Sequence, residues 1–227
     1  MKKSKSLRAA YEKLEEGKLY SPSEAIKLMK KTSTVKFDPT AEVHFNLGIN
    51  PKHADQQVRS TVSLPHGTGK KVRVAVFCGD DKVKAAKSAG AIEAGGDDLI
   101  QKVSGGWLDF DVAVATPPMM KELAKIARIL GPKGLMPNPK AGTVTEDVEK
   151  TVSELAAGRL EFRNDKNGLV HTIFGKLSFD EKKLIENLEA MIKAIQDIRP
   201  TGVKGVYIKS VTVTSTMGPG IKVSISE

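Results

Sequence analysis

The sequence predicts an α+β outer domain, an antiparallel sheet with helices, that carries an inserted α/β three-layer, Rossmann-like domain. Strand segments near both ends of the chain alternate apolar and polar residues, which is typical of antiparallel strands with one exposed face. Strand segments in the middle are almost continuously apolar and alternate with helices, which favours a parallel sheet covered on both faces. Breaks at 65–69 and at Gly158 separate the two patterns.

These breaks set the predicted domain boundaries: residues 1–67 with 159–227 form the outer domain, and 68–158 form the insertion. Charge follows the same division. Residues 1–67 contain 12 Lys and Arg and 7 Asp and Glu, and residues 159–227 contain 11 and 8. The insertion contains 13 Lys and Arg and 12 Asp and Glu, so its charge is nearly balanced. An uneven spread of solvated lysines would give similar counts. The net charge of +9 nevertheless favours a polyanionic partner.

The first outer segment has a clear helix start and an alternating strand. Ser21 and Glu24 have the spacing of a capping box, with Pro22 at the first helical position, and this helix would run to about Lys31. Residues 41–49 place Val43, Phe45 and Leu47 on one side and Glu42, His44 and Asn46 on the other. A polar helix over 4–18 and a strand over 58–64 complete this segment.

The insertion alternates strands with helices. Buried strands are predicted at 72–78 and 111–116, and the apolar pair Leu99-Ile100 indicates a third. Helices are expected over 82–89, 119–130 and 147–157, the last ended by Gly158.

The second outer segment returns to alternating strands, at 159–163 and 169–174. Asp165-Lys166-Asn167-Gly168 has the composition of a hairpin turn between them. A helix from Asp180 to Ile198 places apolar residues on one face. Strands over 206–214 and 221–225 follow it.

The residues do not form a catalytic or metal-binding pattern, and no cofactor is expected. Cys78 ends a predicted buried strand, so we interpret it as a packed small residue, and a single cysteine excludes a disulfide framework. The histidines lack metal-ligand spacing. Residues 66–70 resemble half a phosphate loop but precede a strand instead of a helix. The alternative is an RNA-directed hydrolase or transferase that uses the α/β domain, with Asp80 and Asp81 as its only candidates.

No apolar run approaches the ~20 residues of a membrane span. The basic start Met1–Lys5 is not followed by the hydrophobic stretch of a secretory signal, so we expect a cytoplasmic protein without a membrane partner. Aromatic residues make up 5% of the chain, too few to predict a platform on which bases stack. Folded RNA read by shape and phosphate contacts suits this composition better.

Two loops are unusually rich in proline and glycine for simple connections: 130–143 and Ser215-Thr216-Met217-Gly218-Pro219-Gly220. The stretch from Ile129 to Thr143, which contains GPKGLMPNPKAGT, resembles the signature of the ribosomal protein L1 family. The 215–220 loop resembles the C-terminal motif of the same family. Leu64–Lys70 and Lys36-Phe37-Asp38 are similar to its other landmarks, so the resemblance extends over essentially the whole chain.

The resemblance implies a non-enzymatic protein of the bacterial large ribosomal subunit, with a discontinuous first domain and an inserted second domain. Its implied partners are large-subunit ribosomal RNA at the mobile stalk, deacylated tRNA leaving the E site, and its own operon mRNA, whose translation it would repress. Outside the ribosome it is expected to be a monomer.

The resemblance also implies a set of RNA-binding residues, namely Lys36, Phe37, Asp165, Ser210, Thr216, Met217 and Gly218. Local charge adds Arg163 and Lys166. We expect hydroxyls and the glycine backbone to bond ribose hydroxyls, and the cations to neutralise phosphates.

Overall fold

The computed structural model describes residues 4–15 and 17–224. Glu16, in the helix predicted over 4–18, and Ile225, in the strand predicted over 221–225, lie outside the described residues. So do the first three residues of the basic N-terminus. The helices are α1 Lys5–Tyr11, α2 Pro22–Thr32, α3 Asp80–Ser88, α4 Asp97–Ser104, α5 Met120–Leu123, α6 Ala127–Leu130, α7 Val148–Ala157 and α8 Glu181–Asp197. The strands are β1 Thr40–Leu47, β2 Arg59–Ser63, β3 Val74–Phe77, β4 Glu93–Gly95, β5 Val112–Ala115, β6 Arg159–Arg163, β7 Leu169–Lys176, β8 Ile208–Ser215 and β9 Ile221–Val223.

Four strands form an antiparallel sheet in the order β7-β1-β8-β9. The predicted alternation of β1 is confirmed, since Val43, Phe45 and Leu47 are buried and the residues between them are not. Helices α2 and α8 pack against the buried face. Their contributions include Ile26 and Met29 from α2 and Leu184, Leu188, Met191 and Ile195 from α8. The described side chains on the opposite face of the sheet are only partly buried.

The capping box of α2 is present as predicted: Ser21 accepts from the backbone N–H of Glu24, and the Glu24 carboxylate accepts from the N–H of Ser21. The first helix is shorter than predicted. It begins after the N-cap Ser4, ends at Tyr11 and buries only Ala10. A helix without an apolar face gains little from packing, and short helices are marginal by themselves.

The middle of the chain has a parallel sheet in the order β4-β3-β5 with helices on both faces. One face packs on α4 and the 120–130 region, and the other on α3 and α7. Two predictions here are wrong. Leu99 and Ile100 lie in α4, where Val103 shares their buried surface, and the third strand is instead Glu93–Gly95. The helix expected over 119–130 is split into α5, a 3-10 turn at Ala124–Ile126, and α6.

The described chain divides into two compact units. One comprises the described residues up to Gly69 and from Glu161 onward, and the other is Lys70–Leu160. Asn187 of α8 is fully buried where the first unit ends: its Oδ1 accepts from His66 N at 3.1 Å, and its Nδ2 donates to Gly67 O at 3.0 Å and Phe174 O at 2.8 Å. These bonds fix the end of the first segment to the helix.

The expected hairpin of β6 and β7 is wrong. Strand β6 pairs with β2 in a separate two-stranded sheet, while β7 pairs with β1. A single bridge, Asn164 to Val170, is all that joins the ends of β6 and β7 in the described chain. The four-residue turn forms as predicted, but its strands diverge because each has a more extensive partner elsewhere.

Candidate nucleic-acid interface

The face of the four-stranded sheet opposite α2 and α8 carries mostly polar side chains in register. On β1, Glu42, His44 and Asn46 lie on this face because the residues between them are buried. Their partners on β8 are Thr214, Thr212 and Ser210, and their partners on β7 are Ile173, His171 and Leu169. We call this surface the open sheet face. Its side chains are partly exposed, His171 the most among them, and the nine predicted RNA-binding residues lie at its two ends.

The first end combines the 215–218 turn with the segment before β1. Thr216 N donates to Thr40 O at 3.0 Å, which holds the turn beside the start of β1. Lys36 and Phe37 lie just before that strand, and both are exposed, Phe37 by 58%. Phe37 is therefore not a core residue. This end brings together Lys36, Phe37, Thr216, Met217 and Gly218.

Met217 adopts a backbone conformation that L-residues avoid. Its φ is 65°, the only positive φ at a non-glycine position in the described chain. Gly218 N donates to Ser215 O at 2.7 Å and closes a turn with Met217 as its third residue. The left-handed region costs an L-residue about 1–2 kcal/mol. This strain displays the Met217 side chain, which is 78% exposed.

The protein's own turn leaves little room for a side chain at position 218. A Cβ placed there would collide with the hydroxyl of Ser215 and lie 3.1 Å from the Ser215 carbonyl oxygen. The close approach that we expected toward a partner is thus first an approach to Ser215. That hydroxyl is buried and has no hydrogen-bond partner among the described residues.

The Thr216 hydroxyl is engaged inside the protein. Thr40 N donates to Thr216 Oγ1 at 3.0 Å, and the hydroxyl lies 3.4 Å from Thr40 O as a donor. Our expectation of a free hydroxyl for ribose therefore needs correction. Thr216 holds the loop against β1, and what remains for a partner is one lone pair.

The second end of the open sheet face is the turn before β7. Asp165 Oδ1 accepts from Asn167 N at 2.8 Å and from Leu169 N at 2.7 Å. These backbone hydrogen bonds, that from Leu169 foremost, lower the pKa of Asp165. Asp165 is thus a turn-forming carboxylate, and the turn exposes Lys166 beside it.

Arg163 and Lys166 are exposed and line a groove with Asp165 and His171. The same groove contains the Arg59–Glu161 ion pair, which joins Nε and Oε1 at 2.5 Å. Ser210 connects this end to the sheet, because it lies opposite Asn46, whose other neighbour is Leu169.

The nine residues therefore form two groups. Six residue steps along β1 lead from Thr40 to Asn46, which corresponds to about 20 Å at ~3.3 Å per residue. Sequence reasoning missed what lies between the groups: His44 and His171 face one another across β1 and β7, with their Nδ1 atoms 2.9 Å apart. The alternation of apolar and polar residues in β1 placed His44 on the polar face, but no sequence signal indicated that it pairs with His171.

The residues considered for catalysis or metal binding lie in places where ordinary structural roles account for them. Cys78 is fully buried, and burial raises the pKa of its thiol. Asp80 and Asp81 are exposed in the first turn of α3, where carboxylates interact favourably with the helix dipole. Within residues 4–15 and 17–224, no three His, Cys, Asp or Glu side chains gather closely enough to hold a metal ion. Among the same residues, no helix has the length and apolar character needed to cross a bilayer.

Comparison with known proteins gives a consistent result over nearly the whole chain. Residues 29–219 match the model of the Ribosomal protein L1p/L10e family, and this range contains all nine predicted residues. The chain is 54% identical over 223 residues to the large ribosomal subunit protein uL1 of Thermobifida fusca, covering 98% of this chain and 95% of that protein.

The proteins of the same name from Nocardioides sp. and Streptomyces coelicolor are 53% and 54% identical over 223 and 220 residues. These alignments cover 98% and 97% of this chain and 93% and 91% of the relatives. The relatives are named as ribosomal proteins and not as enzymes, so the hydrolase or transferase alternative is set aside. The chain belongs to the Ribosomal protein L1p/L10e family.

Proposed function

We propose that this chain is a structural constituent of the large ribosomal subunit and binds large-subunit ribosomal RNA, at the mobile stalk, through the open sheet face. The observation that carries this proposal is the placement of the nine residues at both ends of one exposed face. Support also comes from the names of the relatives, which place those proteins in the large ribosomal subunit.

The shape and chemistry of the face suit folded RNA. A-form RNA displays its 2′-hydroxyls in a wide and shallow minor groove, which a mostly polar sheet surface can approach closely. Among the described residues, the face lacks the row of exposed aromatic side chains on which single-stranded bases stack, and Phe37 is the one strongly exposed aromatic residue near it. Recognition by shape and backbone is therefore favoured over reading of unstacked bases.

Each end of the face has its own role in this proposal. Lys36 at one end, with Arg163 and Lys166 at the other, neutralise phosphates. Ser210 and the backbone around Gly218 meet ribose hydroxyls. Met217 and Phe37 cover these bonds with apolar surface, and Asp165 and Thr216 hold the two loops in place.

Two finer roles belong to the same proposal: assistance in releasing deacylated tRNA from the E site, and repression of translation of the chain's own operon mRNA. Both rest on the family resemblance. An mRNA that imitates the stalk element would occupy the same face, so it should compete with ribosomal RNA. We place the protein on cytoplasmic ribosomes.

A salt titration with a stalk fragment of large-subunit ribosomal RNA tests the core of the proposal. The dissociation constant should rise steeply with salt, with a log–log slope of roughly 0.7–0.9 for each phosphate contacted. Lys36→Ala should lower that slope by about 1.

Lys183→Ala is the matched control, because Lys183 is exposed on α8, which packs on the other side of the sheet. It should leave the slope nearly unchanged. Equal affinity of the parent for the stalk fragment and an unrelated hairpin at one salt concentration would contradict the proposal.

A further inference from the structure

The centre of the open sheet face is occupied by a pair of imidazoles. His44 and His171 lie directly opposite one another in the register of β1 and β7. Their Nδ1 atoms are 2.9 Å apart, a hydrogen-bond distance, and their ring centroids are 4.9 Å apart in an edge-on arrangement. The side chain of His44 is 29% exposed. Neither ring has a role among the residues considered so far.

The hydrogen bond fixes how this pair takes up protons. In the neutral pair, one Nδ1 carries the hydrogen and the other accepts it, so one ring has a bare Nε2 and the other an Nε2–H. A first proton adds to the bare Nε2 and leaves the internal hydrogen bond intact. A second would have to occupy the accepting Nδ1, which would place two donors against each other. The pair is therefore built to hold one added proton.

We propose that His44 and His171 form a proton-linked site for an RNA backbone phosphate at the centre of the open sheet face. The inference rests on the proposed RNA-binding function and assigns a ligand to the middle of that surface. The singly protonated pair is a cation with two Nε2–H donors directed away from the shared hydrogen bond, and phosphate oxygens accept such charge-assisted bonds. Binding would draw one proton from solvent.

The surroundings of His44 disfavour its charged form, which a bound phosphate would stabilise. Burial lowers the pKa of His44, the neighbouring His171 lowers it further, and Glu42 opposes both. The Glu42 carboxylate lies 3.9 Å from His44 Nε2. Across the face, β8 places Thr212 opposite His44, and β9 places Lys222 beside Thr212. The charged residues that share the groove with His171 are Arg59, Glu161, Arg163, Asp165 and Lys166.

The lowered pKa of His44 gives the direction of the effect. The phosphate stabilises the protonated pair, so its pKa is higher in the complex than in the free protein. Affinity for RNA therefore rises as the pH falls between the two values, by at most tenfold per pH unit for one proton.

The test measures binding of the stalk RNA fragment at constant ionic strength between pH 8 and pH 6. The parent should bind about fivefold or more tightly at pH 6 than at pH 8, within the one-proton limit. Calorimetry in two buffers of different ionisation enthalpy should show an uptake of up to one proton. The double variant His44→Gln with His171→Gln should lose both effects.

His53→Gln is the matched control, because His53 is exposed and lies outside the sheet. It should keep the pH dependence and the proton uptake of the parent. Melting at pH 8 checks that the double variant is folded. NMR of the imidazoles in the free protein provides an independent measurement, and should show one proton taken up before a second at markedly lower pH.

Two outcomes separate the inference from the function on which it rests. Tight RNA binding with the same pH dependence in the parent and the double variant, or two independently titrating rings, would overturn the phosphate site alone. Absence of specific stalk RNA binding by the parent at every pH would overturn the proposed function, and this site with it.

Discussion

Thr216 and Thr40 exchange hydrogen bonds in both directions: Thr216 N donates to Thr40 O, and Thr40 N donates to Thr216 Oγ1, each at 3.0 Å. Thr216 directly follows β8 and Thr40 starts β1, so this contact joins the 215–218 loop to an inner strand of the sheet. The loop is thereby held as a fixed part of the open sheet face.

Replacing Thr216 with alanine should lower both stability and RNA affinity. The substitution leaves Thr40 N without its acceptor, and loss of one such bond costs about 0.5–1.5 kcal/mol. For a chain of this size that corresponds to a fall in melting temperature of roughly 2–4 °C per kcal/mol. Thr216→Ser keeps the oxygen and should restore most of both. A full loss of RNA binding without any change in melting would show that the hydroxyl serves RNA alone.

Met217 should show an opposition between stability and binding. Met217→Gly removes the penalty of the left-handed conformation, so the free energy of unfolding should rise by about 0.5–1 kcal/mol. The same change removes the exposed side chain and should weaken stalk RNA binding. Met217→Ala separates the two effects, because it keeps the strained backbone but loses the side chain. Chemical denaturation and RNA binding of both variants give the comparison, and a destabilised Met217→Gly would contradict the strain argument.

The contact between Gly218 and Ser215 can be tested with a double-mutant cycle. Gly218→Ala should destabilise the loop and weaken RNA binding, because the new Cβ collides with the Ser215 hydroxyl. Ser215→Ala by itself should be nearly neutral or slightly stabilising, since it removes a buried hydroxyl that has no partner in the described chain. The double variant should recover part of the lost stability and affinity. Strictly additive effects would mean that the collision is not the cause.

Sequence patterns correctly predicted the features that depend on contacts between residues close in sequence. The capping box at Ser21, the alternation of β1 and the end of α7 at Gly158, which has a φ of 111°, all depend on residues close in sequence. The partner of β6 depends on Arg59–Ser63, about a hundred residues earlier, so the turn at 165–168 was predicted correctly while its hairpin was not. Strand β4 was missed because Ala94 is its only buried residue.

In the candidate site, too, contacts between residues distant in sequence could not be predicted. The family resemblance and local charge predicted residues at both ends of the open sheet face. They did not predict that the two groups are separated along β1. Thr216 was expected to meet RNA through its hydroxyl, and Asp165 was counted among the RNA-binding residues. Their hydrogen bonds to Thr40, Asn167 and Leu169 became visible only in three dimensions. The pairing of His44 with His171 depends on a cross-strand register that one sequence does not encode locally.

Asp165 gives a prediction with a defined pH direction. Its pKa is lowered in the folded protein, so the stability it contributes is present above the unfolded value of about 3.9 and is lost as the pH falls through the folded value. Asp165→Ala should therefore destabilise the protein at pH 7 and converge with the parent in strong acid. Urea denaturation at several pH values measures this difference.

Asp165→Asn separates turn formation from RNA contact. The amide oxygen can still accept the bonds from Asn167 and Leu169, while one negative charge is removed. If Asp165 acts by shaping the turn, this variant should bind stalk RNA at least as well as the parent. A clear loss of affinity would instead indicate that the carboxylate itself contacts RNA.

The last prediction concerns which compact unit binds RNA. All nine predicted residues lie in the unit formed by the described residues up to Gly69 and from Glu161 onward. A chain that joins residues 1–69 to 161–227 through a short Gly-Ser linker retains the four-stranded sheet, helices α2 and α8, and the Asn187 bonds to His66 and Gly67. Because these contacts lie within the retained residues, the joined chain should fold cooperatively.

The joined chain should bind the stalk fragment with an affinity near that of the parent and a similar salt slope, since the phosphate contacts proposed for Lys36, Arg163 and Lys166 are all kept. Residues 70–160 alone serve as the comparison. They carry nearly balanced charge and none of the nine residues, so they should bind weakly and without preference for the stalk sequence. If residues 70–160 bound the stalk fragment as tightly as the full chain, the open sheet face would not be the principal RNA site.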